Sequence, residues 1–302
     1  MQHFAVWNTT MGSSLLAMSW GLGKTGLFPG ILINIAIAAL CLYTAYVLLN
    51  VNEKHGILGQ NIEVPDLCRM LIGKWAEILA KIFSLIVLIG ANIVYWILMS
   101  NFLFNSVLFL YGTISVGYLL LFVTVKFFSW GVNVPNWSSE FHLKPTFCAL
   151  SGMLSLSYFI HNIIISIMRN NKHQENNGRD LTIAFGLITF TYIFIGVVFY
   201  ISFPLLKTCI EDNILNNFSK RDTMTIIARV LFLFQLFTVF PLISFMLRND
   251  ILANMNMIFK NYRFGDFSYG RVVFINSIVL FICIMFACLL AQNRNFDKVR
   301  GH

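Results

Sequence analysis

The sequence predicts an all-α polytopic membrane protein of about eight spans. Three observations predict it. Apolar residues make up 58% of the 302 positions, charged residues only 11%, and 30 residues are Phe, more apolar surface than a soluble core of this size hides. The apolar residues gather into long runs separated by polar connectors. The first run is broken at mid-depth by Asn8-Thr9-Thr10-Met11-Gly12-Ser13-Ser14, bracketed by Trp7 and Trp20.

A helix needs roughly 20 apolar residues to cross about 30 Å of hydrocarbon. That requirement places segments near 4–20, 28–50, 78–110, 112–128, 146–168, 181–203, 225–247 and 272–291. The connectors 51–77, 129–145, 169–180, 204–222 and 248–271 are too short for a soluble domain, so 1–302 reads as one transmembrane domain.

In the first segment, hydrocarbon offers no water to an exposed amide. Gly12 and the surrounding hydroxyl and amide side chains are therefore tolerated only where they face protein or a wet cavity. The run predicts a helix that breaks between Thr10 and Ser14 and leaves backbone groups free for a ligand. Polar residues interrupt this segment and no small-residue cleavage pattern follows, so it reads as a retained span and not as a signal peptide. Gly21-Leu-Gly-Lys-Thr-Gly26 matches a dinucleotide-binding pattern, but no strand precedes it and Met18 stands where a phosphate loop needs Gly. It reads as a plain turn.

The stretch 78–128 would make a helix of about 76 Å at 1.5 Å per residue, so it must fold back, with Tyr111-Gly112 as the obvious hinge. In the fifth segment, His161 and Asn162 form a polar pair at mid-depth. Such a pair serves either as a functional group or as hydrogen-bonding glue between helices. The seventh segment carries Arg229, Gln235 and Thr238 ahead of Pro241. Arg229 reads as snorkelling to the interface. The Thr238 hydroxyl either back-bonds to its own helix or lends oxygen to a small cation.

The net charge of +8 comes from Lys and Arg clustered in connectors, at 54, 69, 74 and 81 and at 169, 172 and 179. These read as orientation charges and headgroup contacts, not as a nucleic-acid patch. The six cysteines form no C-x-x-C pair, so a metal centre is not expected, and Cys41, Cys283 and Cys288 read as packing residues. No carboxylate pair, His cluster or activated nucleophile lies in the spans, which argues against an enzyme. Sequons occur at Asn8, inside a span, and at Asn136 and Asn217, in connectors open to glycosylation.

Four blocks carry a family resemblance: 7–14, Val94-Tyr-Trp-Ile-Leu-Met-Ser-Asn-Phe-Leu-Phe-Asn105, Tyr158-Phe-Ile-His-Asn162, and the Asn-rich run 170–181. From Phe4 to about Leu290 the chain resembles the sodium-coupled neutral amino acid transporter family, most of all its lysosomal, arginine-sensing branch. The resemblance implies an inverted-repeat fold of eleven spans with the first and sixth broken, here incomplete, with 4–128 and 146–291 as remnants of the two repeats. It implies a sodium ion at Asn8 and Thr238. It implies an amino acid held by Thr9, Thr10, Met11, Gly12, Ser13 and Ser14, with His161 beside the sixth-span break near 158–162. Arginine, leucine and glutamine are the candidate substrates, in a lysosomal or late endosomal bilayer.

Against the family pattern, the fourth span and the last two spans are missing. So is the cytosolic tail that engages the Rag–Ragulator machinery, and that contact is not expected of these residues. The rival reading is a truncated relative that binds an amino acid or a membrane partner without transport. Charge does not fix the topology after Gly112: the family orientation puts 11 basic residues inside against 9, and simple alternation 12 against 8.

Overall fold

The computed structural model describes residues 6–7, 10–11, 14–55, 64–102, 112–161, 164–165, 168, 173–219, 221–258, 270, 273–282 and 284–285. Among these the chain is helical with no strand: α1 (Ser14–Thr25), α2 (Leu27–His55), α3 (Val64–Leu71), α4 (Lys74–Phe102), α5 (Gly112–Trp130), α6 (Phe147–Ser157), α7 (Asn177–Ser202) and α8 (Thr223–Ile258). A further helical stretch covers Val273–Ile282. Each predicted apolar segment is thus met by helix. Three stretches among the described residues are individually long and apolar enough to cross a membrane: Leu27–Lys54, Lys74–Asn92 and Gln174–Ser202. Large apolar side chains such as Leu40, Tyr43, Phe83 and Phe190 stand exposed along these helices, as lipid-facing positions do.

Two compact units form, one from Met1–Val64 with Val107–Gln235 and one from Pro65–Ser106 with Leu236–His302. In the first, α7 is the hub, with α1, α2 and α5 packed against it and α6 packed against α1 and α2. Leu15, Leu16, Met18 and Leu22 of α1 are buried, and close approach is possible because Gly196 of α7 presents no side chain to Met18.

The run Gly21–Gly26 corrects the expectation of a plain turn. Residues 21–25 form the end of α1, and Gly21 and Gly23, which cost a lone helix about 1 kcal/mol each, are held helical by packing against α6 and α7. Gly26, at φ 97°, then closes the helix with its N–H on the Leu22 carbonyl at 2.8 Å.

Three connectors of this unit share one end. Leu27 N donates to Glu140 Oε2 at 3.2 Å, Lys144 N to the Thr25 carbonyl at 3.0 Å, and Lys144 Nζ to the Gly23 carbonyl at 3.0 Å. Phe28 stacks on Phe141 with centroids 3.9 Å apart. At the end of α7 and the start of the third connector, the Ile201, Phe203 and Pro204 carbonyls accept from Asn133, and Phe218 stacks on Trp130 at 5.2 Å. Simple alternation would put the 21–27 and 129–145 connectors at opposite ends. The family orientation puts them together, as found.

In the second unit, connector 51–77 holds more structure than expected. The amphipathic α3 buries Leu67, and Gly73, at φ 117°, turns the chain into α4. Glu77, 2% exposed in the first turn of α4, lies 2.8 Å from Lys81 Nζ and 3.6 Å from Arg69 Nε. Ser244 of α8 donates to Asn92 of α4 at 2.7 Å. The fold-back expected at Tyr111-Gly112 falls between α4 and α5, and 103–111 lie outside the described residues.

Candidate substrate and cation site

Two helix breaks face α7. The first comes at Met11, which stands outside helix between helical Thr10 and Ser14, within the interval the polar run predicts. Met11 N still reaches the Trp7 carbonyl at 3.0 Å. The second comes after α6, where 158–160 leave the helix and His161 resumes it, inside the stretch 158–162 that the resemblance indicates.

A helix break frees carbonyls that must find donors. Here they come from neighbouring helices. Tyr192 of α7, fully buried, donates its hydroxyl to the Thr10 carbonyl at 3.0 Å, with the Ser14 and Ser157 hydroxyls beside it. One side chain thus touches both broken spans, and its ring meets Tyr158 edge-on at 5.5 Å. Gln235 of α8 donates its Nε2 to the Met11 carbonyl, while its Oε1 accepts from Ser115 of α5 at 2.5 Å. Gln235, Ser115 and Met11 are all buried. Trp7 Nε1 donates to Thr191 at 3.3 Å, fixing the short first half of the broken helix on α7.

At the second break, Tyr158 donates to Asn34 Oδ1 of α2 at 2.7 Å, with Thr189 Oγ1 at 3.1 Å. His161 turns to α2, its Nε2 2.7 Å from Thr44 Oγ1. The Thr44 hydroxyl sends its hydrogen to the Leu40 and Cys41 carbonyls, so His161 is the donor, and its buried Nδ1 meets no partner among the described residues.

Of the predicted site residues, the structure gathers Thr10, Met11 and Ser14 around Tyr192 and Gln235. Thr10 spends its hydroxyl on the Val6 carbonyl, so it offers its backbone. Asn8, Thr9, Gly12, Ser13 and Asn162 lie outside the described residues, as does the Thr238 side chain, although the backbone of α8 is helical through Thr238 and Pro241. No group of three or more His, Cys, Asp or Glu side chains able to hold a metal forms among the described residues.

At the connector end sits a polar cluster the sequence did not single out. Glu140, buried, accepts from the Tyr200 hydroxyl at 3.0 Å as well as from Leu27 N. Lys207 Nζ donates to the Tyr200 and Phe203 carbonyls at 2.6 and 3.1 Å. Burial pulls Lys207 down to about 8, against the opposing pull of Glu140. Arg229 reaches the Leu215 carbonyl at 2.9 Å. The sequon residue Asn136 is exposed and caps the short turn 137–141, whereas Asn217 is half-buried and donates to the Asn213 and Ile214 carbonyls.

Comparison with known proteins adds to this geometry. The transmembrane amino acid transporter protein family matches residues 1–109 and 102–299, two pieces that overlap at 102–109. The chain is 33% identical to the sodium-coupled neutral amino acid transporter 9 homolog of Caenorhabditis elegans, over 94% of this chain and 62% of that protein. It is 32% identical to neutral amino acid transporter 9 of Rattus norvegicus over 94% and 67%, and 33% identical to that of Danio rerio over 86% and 64%. The chain therefore spans about two thirds of the length of these relatives. With nearly its whole length matched and two broken helices facing α7, the chain belongs to the transmembrane amino acid transporter family.

Proposed function

We propose that this chain works as a sodium-coupled amino acid transporter of lysosomal or late endosomal membranes, by alternating access around the break at Met11. The observation that carries the reading is the pair of freed carbonyls, Thr10 and Met11, held by donors from α7 and α8 deep in an apolar bundle. Such carbonyls suit a ligand ammonium or a desolvated cation. The described side chains around the first break, Thr10, Ser14, Tyr192 and Gln235, are uncharged, so the amino acid is held there chiefly by its own zwitterion, with His161 at the second break. Arginine, leucine and glutamine are the candidates, sodium sits at Asn8 and Thr238, and 4–128 and 146–291 act as the two repeats.

A second reading, binding without transport, is favoured by one observation. The match to the family falls into two pieces, 1–109 and 102–299, as a chain lacking an internal span would give.

Proteoliposomes loaded against a sodium gradient test both. Uptake of labelled arginine, leucine or glutamine should depend on sodium. Thr238→Ala and Asn8→Ala should both raise the sodium concentration required, and amino acid affinity should fall with it by linkage. Sodium-dependent binding without uptake supports the second reading. Identical sodium dependence in wild type and Thr238→Ala removes Thr238 from the cation site.

A further inference from the structure

We propose that Gln235 is a stand-in ligand: in the empty site its amide occupies the Met11 carbonyl, and it gives way when the amino acid's ammonium group arrives. This rests on the transporter reading above and assigns a role within that site. A carbonyl only accepts, so Gln235 must present its Nε2 to Met11, and the Ser115 hydroxyl donating to Oε1 holds the amide in that sense. The three groups come from the broken first helix, α5 and α8, and all are buried, so water does not readily replace the amide.

A freed carbonyl in such a place needs a donor in every state of the protein. A backbone donor would hold it permanently, whereas a side-chain amide leaves by rotating about its own bonds. The ammonium that replaces it makes a charge-assisted bond, stronger than the neutral one it displaces. The amide thus keeps the empty site paired at the cost of competing with the ligand. Tyr192 does not share this property, because its ring is fixed between both breaks.

The sign of the effect separates a stand-in from a co-ligand. In Gln235→Leu the empty site keeps an unpaired carbonyl, and ligand binding relieves it. Arginine, leucine or glutamine, whichever the wild type binds, should then bind roughly five- to tenfold more tightly. Ser115→Ala, which loosens the amide without touching Met11, should tighten binding by a smaller factor. The double variant should bind no more tightly than Gln235→Leu, because Ser115 reaches the Met11 carbonyl through the Gln235 amide.

The full chain in nanodiscs, titrated by calorimetry in sodium chloride and in choline chloride, reads all four proteins. Weaker or unchanged binding in Gln235→Leu overturns the proposal. If that variant is not monodisperse, Ser115→Ala decides alone, with tighter binding supporting the stand-in and equal or weaker binding overturning it. Binding of none of the three amino acids by any of the proteins overturns the transporter reading and the stand-in with it. Binding by wild type without tightening overturns the stand-in only.

Discussion

At Tyr192 a single hydroxyl closes the Thr10 carbonyl and lies beside Ser14 and Ser157, so removing it separates two broken helices without changing the ring. Tyr192→Phe should lower stability by about 1–3 kcal/mol, the cost of leaving a buried carbonyl unpaired. Thermal unfolding in detergent measures it, and amide exchange at Thr10 and Met11 should quicken in the same variant. Lys207 gives a pH signature. Because burial holds its folded value near 8, below the ordinary 10.5, the unfolded chain keeps a proton that the folded chain has released over that interval. Stability should therefore rise from pH 8 toward pH 10 relative to Lys207→Gln, whose curve lacks this increment. A difference that shrinks over that range would show the ammonium to be favoured in the fold. Legibility at this scale was uneven. Thr10, Met11 and Ser14 were visible because polar residues and Gly in a span demand an explanation, and Gln235 was noticed for its position near Thr238. Tyr192 was invisible, since a Tyr among Phe residues looks like packing until a freed carbonyl is found against it.

Helices were legible where composition is one-sided, as in α2 and α7, and the break in the first segment was legible because Gly and hydroxyls sustain a lipid-facing helix poorly. Their ends were less so. The continuation of α1 to Thr25 depends on glycines that a propensity argument counts as breakers, but which the fold uses for contact with α6 and α7. The amphipathic α3 was missed because eight residues between charged flanks are too few for a periodic signal. Gly26 closes α1, and it offers a sharp test. A Cβ there would stand 2.6 Å from the His142 carbonyl oxygen, on a backbone at φ 97° that side chains rarely adopt. Gly26→Ala should destabilise the protein by more than about 1 kcal/mol. Gly131, also at positive φ but with open space around its Cβ, should tolerate Ala better in the same melting assay.

For the whole molecule, basic-residue counts could not choose between two topologies, and the fold chooses because connectors far apart in sequence hydrogen-bond to one another. Their shared end carries both Asn136 and Asn217. With that end lumenal, a glycosidase should remove two glycans, and Ser138→Ala and Ser219→Ala should each abolish one step of the mobility shift. The same convergence makes this end a conformational epitope, assembled from the segments around Gly26, Glu140 and Phe218. An antibody fragment selected against the folded surface would fail on the denatured chain. Applied to sealed and to opened organelles, it would report by staining alone which compartment that surface faces.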